Sequence, residues 1–328
     1  DWLDKTPKDR LYPDVYFKTE DELRLFTNQF YNNLVPSAVD IYSESSDLIV
    51  KSDLMLEMSG QRIIPDEGNG WNFTALRDIN FYLQYSHNCT EVNARNRYDG
   101  VARFFRAYFY FEKVKRYGDI PWYDKALDSD DPELYKARDS REFVMQKMLE
   151  DLDFAIANLP KTKNAYVLTR WTALALKSRV CLFEGTFRKY HGLEDYEKYL
   201  NACVSASETF MNESGYTLYK SGSTPYRDLF ASINLQADEV IFGRDYEASL
   251  SVLHNVQNYE NSTTMGRPGM NKKIVNSYLM ADGSRFTDKA GYETMTFDQE
   301  CQNRDPRLAQ TIRTPGYTRI GSTKKEAP

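Results

Sequence analysis

No apolar run in these 328 residues reaches the roughly 18 to 20 needed to span a bilayer as a helix. No secretory leader is read at the start, and the numbering is compatible with one having been removed. A basic stripe is missing as well. The formal net charge is −6, with 42 Lys and Arg against 48 Asp and Glu, and the cations are dispersed. That argues against nucleic acid, whose phosphates demand clustered positive charge. Cysteine is scarce: Cys89, Cys181, Cys203 and Cys301 have no Cys-x-x-Cys spacing, which leaves no zinc or redox motif. Cys181 and Cys203 sit in helical patterns and read as free thiols, and no disulfide can be paired from spacing. There are three histidines, His87, His191 and His254, none in a His-Glu-x-x-His pattern. Each reads as a surface or packed side chain. Phosphate-loop and Gly-x-Ser-x-Gly patterns are absent too. The oxygens of Asp282 to Asp288 do not follow calcium-loop spacing. Asp128 to Asp131, followed by Pro132, reads as a solvated turn. Nothing in the sequence sets two carboxylates at the separation that glycoside hydrolysis needs. No catalytic residue, metal ligand or cofactor is therefore assigned.

What is present is aromatic and helical. Hydrophobic residues make up 41% of the chain, enough for a core, and 24 residues are Tyr. Six of the eight residues from Phe104 to Phe111 are aromatic. So many rings cannot share one stripe, and a helix apolar nearly all round must be covered on several sides. Lys113, Lys115 and Arg116 complement the dipole at its end, Gly118 supplies a left-handed position and Pro121 stops it. The expectation is a central, wrapped helix over about 97–117.

Other elements follow the same period. Thr19 with Glu22 forms a capping box before Leu23, Phe26, Phe30 and Leu34, and Pro36 ends that helix. Leu76, Ile79 and Leu83 mark the next helix. Asp139 with Glu142 reads as a second capping box, ahead of Met145, Met148, Leu152, Ala155 and Leu159. Helices over about 170–187 and 193–211 come next, the first with small Ala173, Ala175 and Ser178 for close approach. Tyr216 to Leu218 and Val240-Ile241-Phe242 read as short extended pieces. Two stretches lack a period: Tyr42 to Trp71, and the polar loop Asn255 to Gly269. Loops of this kind on a rigid scaffold often carry function. The fold class is mostly α: helix pairs forming a solenoid scaffold, with irregular loops and a few short strands packed on it. No clean repeat of about 34 residues is found.

The order of several motifs resembles SusD-like (SusD/RagB) proteins, the outer-membrane glycan-binding lipoproteins of Bacteroidota-type bacteria. The motifs are Leu3-Asp4-x-x-Pro7; Arg77-x-Ile79-Asn80-x-x-Leu83; Ala102 to Phe111 with Val114; and Arg116-Tyr117-Gly118-Asp119-Ile120-Pro121. Asp151-Leu152, Ala155, Leu159-Pro160 and Glu239-Val240-Ile241-Phe242 follow. Then come Arg267-Pro268-Gly269, Ile274-Val275-x-Ser277-Tyr278-Leu279-Met280, Asp282-Gly283 and Asn303-Arg304-Asp305-Pro306-Arg307-Leu308. The resemblance implies degenerate tetratricopeptide-like pairs in a single domain over 1–328, with the helical scaffold at about 15–215 and a loop-rich, ligand-facing part at about 40–72 and 216–328. The family usually continues into a further helix pair, so the C-terminal part of its usual length is expected to be missing after Pro328.

A sugar-binding surface needs exposed aromatic faces for the pyranose ring and amides, acids or Arg for its hydroxyls. The loops supply both. The candidates are Tyr42, Arg62, Asp66, Asn69, Trp71 and Asn72 around the first loop, and Tyr246, Asn258 and Tyr259 around the second. The rings of Phe104 to Phe111 are assigned to the core. The function the resemblance implies is non-catalytic: glycan binding and delivery to a TonB-dependent transporter of the SusC-like type. It implies an outward-facing outer-membrane lipoprotein, with the lipid anchor lying outside this sequence. Two other classes are weighed: a helical-repeat scaffold that binds peptide or protein, and a glycoside hydrolase.

Overall fold

A computed structural model describes residues 15–36, 48–50, 56–66, 68, 70–254 and 269–327. The chain forms two compact units. The first takes Asp1–Pro36, Glu67–Thr217 and Glu239–Asp245; the second takes Ser37–Asp66, Leu218–Asp238 and Tyr246–Pro328.

The first unit is helical. It contains α1 (Glu20–Leu34), α3 (Thr74–Tyr85), α4 (Val92–Tyr117), α5 (Arg141–Asn158), α6 (Arg170–Tyr190) and α7 (Tyr196–Glu213), while the short α2 (Leu56–Ser59) belongs to the second unit. The capping box at Thr19 forms: the Glu22 N–H donates to Thr19 Oγ1 at 3.3 Å and the Thr19 N–H to Glu22 Oε2 at 3.2 Å. From α3 onward each helix packs on its neighbour in sequence, and α1 returns onto α3 and α4. Neighbour-by-neighbour packing is the signature of helix-pair repeats. At the α6–α7 contact, Gly185 is pressed so close to Leu200 that a Cβ there would lie 2.6 Å from Leu200 Cδ2. Ser178 and Ser207 meet across the same contact at 2.8 Å.

Helix α4 is the axis of the unit. It starts five residues before the expected Arg97 and ends at Gly118, whose φ is 70°. Phe104, Phe105, Phe109, Tyr110 and Phe111 are buried, Phe105 with only 1% exposed. The chain after Gly118 folds back over the helix. Tyr110 stacks on Trp122 with centroids 4.3 Å apart. Its hydroxyl accepts from the Tyr123 N–H (2.6 Å) and donates to the Pro121 carbonyl (3.1 Å). Ile120 is fully buried and bridges to Asp139. The Gly-Asp-Ile-Pro-Trp segment is thus a lid fastened to the aromatic helix.

Inside this core lies a charge. The Arg106 guanidinium donates to Asp151 at 2.6 and 2.7 Å, with side-chain exposures of 8% and 3%. It also donates to Asn80 Oδ1 at 3.2 Å, and Asn80 Nδ2 in turn donates to the Tyr123 carbonyl at 2.9 Å. Burial alone would lower the Arg106 pKa, but hydrogen bonding to Asp151 and its charge outweigh that and raise it. A second buried anion, Glu184 on α6, accepts from Arg141 (2.6 Å) and Arg188 (2.8 Å). Arg188 also pairs with Glu142, which accepts from Tyr199 on α7 at 3.2 Å.

Two local expectations are corrected. Asp139 does not cap α5; Ser140 does, with its Oγ accepting the Phe143 N–H at 3.3 Å. Asp139 is diverted because its backbone pairs with Ile120 and its carboxylate takes the Trp122 N–H at 2.7 Å. Residues 240–242 form no strand ladder. Ile241 packs against Trp171, Leu174 and Ala206, Phe242 joins the main core, and the Gly243 N–H donates to the Ala165 carbonyl at 2.9 Å. Side-chain burial there outweighs the β preference of the sequence.

In the second unit, β1 (Ile49–Val50) pairs antiparallel with β2 (Gly269–Met270), Ile49 opposite Met270. Here lie α8 (Pro225–Ala231), α9 (Lys272–Ser277) and a short helix Pro306–Thr311. Arg304 organises the unit. Its guanidinium lies 3.9 Å over the Phe286 ring and donates to the carbonyls of Glu300 (2.8 Å), Val275 (2.7 Å) and Tyr278 (3.0 Å). Asp305 caps the next helix through the Arg307 N–H (2.9 Å), with Pro306 in its first turn. Side-chain bonds from Arg307, then its N–H, hold the Asp305 pKa down at about 2. The Asn-Arg-Asp-Pro-Arg-Leu motif therefore gathers carbonyls and starts a helix.

Arg106→Leu should cost about 3–5 kcal/mol in urea unfolding, since it strands Asp151 in the core. The Arg106→Leu/Asp151→Leu pair should cost clearly less than the two single changes added together. Additive losses would show that the pair is not coupled.

Candidate functional site

The candidate site of the first unit is built on a turn clamped to the C-terminal end of α4. The Trp71 N–H donates to the Gly68 carbonyl at 3.1 Å and the Asn72 N–H to the Gly70 carbonyl at 2.9 Å. Lys113 of α4 also donates to the Gly70 carbonyl. Partial burial, together with the nearby Arg116 charge, lowers the Lys113 pKa. Gly70 has a φ of +86°, and a Cβ there would lie 3.3 Å from the Tyr117 hydroxyl.

This clamp presents Trp71, which stays 41% exposed. Its ring meets Phe73 edge-on at 5.4 Å and Tyr117 edge-on at 4.9 Å. The Arg138 guanidinium lies 5.1 Å from its centroid. Two edge-to-face contacts and one cation hold the ring, and a large part of it remains in water. Asn72 is exposed, and its Oδ1 accepts the Thr74 N–H at 2.8 Å, which starts α3. A held, half-exposed indole beside an amide and a guanidinium suits a sugar ring with its hydroxyls.

The other expected residues distribute as follows. Arg62 and Asp66 are exposed and belong to the second unit. Tyr246, in the same unit, is half-buried and meets His254 edge-on at 4.8 Å. Tyr42, Asn69, Asn258 and Tyr259 lie outside the described residues. Within the second unit, the β1–β2 pair joins a strand of the first loop to the end of the polar loop, and the Asn271 N–H donates to the Leu48 carbonyl at 2.8 Å. The contacts of Arg138 and Tyr117 with Trp71 carry no sequence signal, because contacts across 67 and 46 positions have no period to betray them. No cluster of three or more His, Cys, Asp or Glu suited to a metal is found among the described residues. All four cysteines are free thiols; Cys89 and Cys181 are buried. Burial pushes the Cys181 thiol up to about 12, which removes its reactivity at neutral pH.

Residues 57–170 match the model of SusD-like proteins described as starch-binding and associating with the outer membrane, and residues 205–327 match the model of the SusD family. The chain belongs to the SusD-like family. A SusD-like protein of Formosa agariphila, P2, is 25% identical over 283 residues, which are 80% of this chain and 53% of that protein. A second from the same organism, P38, is 26% identical over 134 residues, 41% of this chain and 24% of its own. Among solved structures, a SusD-like protein of Bacteroides fragilis superposes with a TM-score of 0.72 at 22% identity, covering 93% of this chain and 62% of that one. A structure solved with xylogluco-oligosaccharide gives a TM-score of 0.57 at 18% identity, over 82% of this chain and 55% of the other. This SusD-like chain thus spans about half the length of P2 and 62% of the Bacteroides fragilis structure. The likeness in fold agrees with the mostly helical architecture described above. No described helix is long and apolar enough to cross a membrane.

Truncating Trp71 should be milder than truncating the core. Trp71→Ala is expected to cost about 1–2 kcal/mol, against about 3–5 for the buried Phe105→Ala. Chemical denaturation of both variants would measure this. Equal losses would mean that Trp71 is structural.

Proposed function

We propose that this protein is a non-catalytic glycan-binding protein of the outer-membrane surface. It holds an oligosaccharide and delivers it to a TonB-dependent transporter of the SusC-like type, and an N-terminal lipid anchor outside this sequence tethers it facing outward. The observation that carries the reading is the clamped Trp71 ring, with Tyr117 and Arg138 against it and Asn72 beside it. Membership of the SusD-like family supports it. So does the xylogluco-oligosaccharide with which a protein of the same fold was crystallised. The side chains gathered at Trp71 are aromatic, amide and cationic. They suit hydroxyl recognition and ring stacking, whereas hydrolysis asks for two facing carboxylates. Arg62, Asp66 and Tyr246, with Tyr42, Asn69, Asn258 and Tyr259, are also proposed to contact ligand.

A few stacked rings and solvent-exposed hydrogen bonds must offset the ordering of a flexible sugar, so affinity for a short oligosaccharide is weak. Native gels cast with different polysaccharides, xyloglucan among them, should retard the protein on at least one. With the best glycan, Trp71→Ala and Tyr259→Ala should each weaken binding by about fivefold in titration calorimetry, the worth of one stacking contact of about 1 kcal/mol. Retardation by no polysaccharide, with capture of peptides instead, would favour the scaffold reading. Release of shorter sugars would make the protein a hydrolase.

A further inference from the structure

The second unit contains a cleft of about 620 Å³, open to solvent and lined in part by Lys272, Lys273, Asn276, Arg285, Thr287 and Tyr292. Its lining carries three cations and no acid, in a chain whose net charge is −6. Lys272 is answered by Glu300 at 2.6 Å. The side chains of Lys273 and Arg285 form no hydrogen bond or ion pair among the described residues, which leaves two uncompensated cations facing one space. Asn276 also lines the cleft, with its Oδ1 turned into the protein and buried. Tyr292 adds an aromatic ring, its hydroxyl donating to Glu293 at 3.3 Å.

The cleft is also stiff. Arg285 stands at the end of a tight turn in which the Met280 N–H donates to the Ser284 carbonyl at 2.8 Å and Leu279 bridges to Arg285. Asp282 braces that turn by accepting the Ser284 N–H at 2.9 Å and hydroxyl at 2.6 Å. The stretch from Asp282 to Asp288, which lacks calcium-loop spacing, thus has a different use: it sets a guanidinium at the cleft. Lys273 is fixed from the other side by α9, whose first turn is capped by Asn271 Oδ1 at 2.8 Å from the Lys273 N–H. The backbones that carry the two cations are thus fixed, while the side chains remain free to turn toward an anion.

We infer that this cleft binds an acidic sugar unit, one bearing a carboxylate or a sulfate, as a subsite for a charged glycan. The inference rests on the glycan-binding reading and narrows its substrate class. Each feature has a counterpart in such a ligand. Arg285 and Lys273 take the anionic group through charge-assisted hydrogen bonds. The Tyr292 ring offers its face to the pyranose. The volume falls within the range of small-molecule sites.

Titration calorimetry of the chain at low and high salt would test this with tetragalacturonate, its carboxyl-reduced neutral counterpart, and a sulfated galactan tetramer. At least one acidic tetramer should bind about tenfold more tightly than the neutral one, roughly the worth of one charge-assisted hydrogen bond. That preference should shrink at high salt. The stronger of the two acidic ligands assigns carboxylate or sulfate. Lys273→Gln/Arg285→Gln should abolish the preference without a change in melting temperature, and Arg285→Lys should retain part of it should the double variant fold poorly. Equal affinity for acidic and neutral tetramers, or a preference that survives the double variant, overturns the inference. So does inorganic sulfate competing as well as the tetramer, which would make the cleft a simple ion site. Binding of other polysaccharides but none of these tetramers refutes the acidic subsite and leaves the glycan-binding reading standing. Binding of no glycan at all removes both.

Discussion

The first unit depends on one buried ion pair. Arg106 and Asp151 are both taken out of water, a state that costs several kcal/mol per charge unless every donor and oxygen is met. Here they are met by a bidentate contact at 2.6 and 2.7 Å, with Asn80 completing the set and the Trp122 ring 5.2 Å from the guanidinium. The network draws together α3, α4, α5 and the segment that folds back after Gly118. Apolar rings can slide past one another at modest cost, but a guanidinium has one position in which its hydrogen bonds close. The pair thus sets the register in which the aromatic helix is wrapped.

The second unit repeats the device in another form. Arg304 lies against Phe286 as Arg106 lies near Trp122, but its partners are backbone carbonyls instead of a carboxylate. Short helices and turns leave many carbonyls unpaired at their ends, and one fixed fork of donors satisfies three of them. Between α5, α6 and α7 the fully buried Glu184 plays the converse part, an anion that gathers Arg141 and Arg188. In each case a buried charge substitutes for the long strand ladders that are missing among the described residues.

The candidate binding surfaces use the same rigidity at their edges. Trp71 is exposed but immobilised, because the α4 terminus holds its turn through Lys113 and Tyr117. Arg285 and Lys273 are exposed, and a braced turn and a capped helix place their backbones. Recognition of a flexible sugar benefits from this arrangement, since the protein side loses little entropy on binding.

The sequence by itself determined what depends on near neighbours. The helices of the first unit, the Thr19 capping box, the Gly118 stop and the aromatic core of α4 follow from the 3.6-residue period and from cap chemistry, which act over a few positions. Trp71 was legible as a candidate because it ends an unpatterned loop. Tertiary structure decided the rest. Arg106 stands inside the aromatic run of α4, and only a carboxylate 45 positions away explains the burial of its charge. Asp139 has a good cap signal, but the bridge to Ile120 and the Trp122 N–H claimed it, so Ser140 took the cap. The pairing of Ile49 with Met270, the stacking of Arg138 on Trp71 and the meeting of Lys273 with Arg285 all join distant residues or separate elements. Local propensity contains no term for such meetings: they follow from which charges and rings the packed helices and turns leave facing one another.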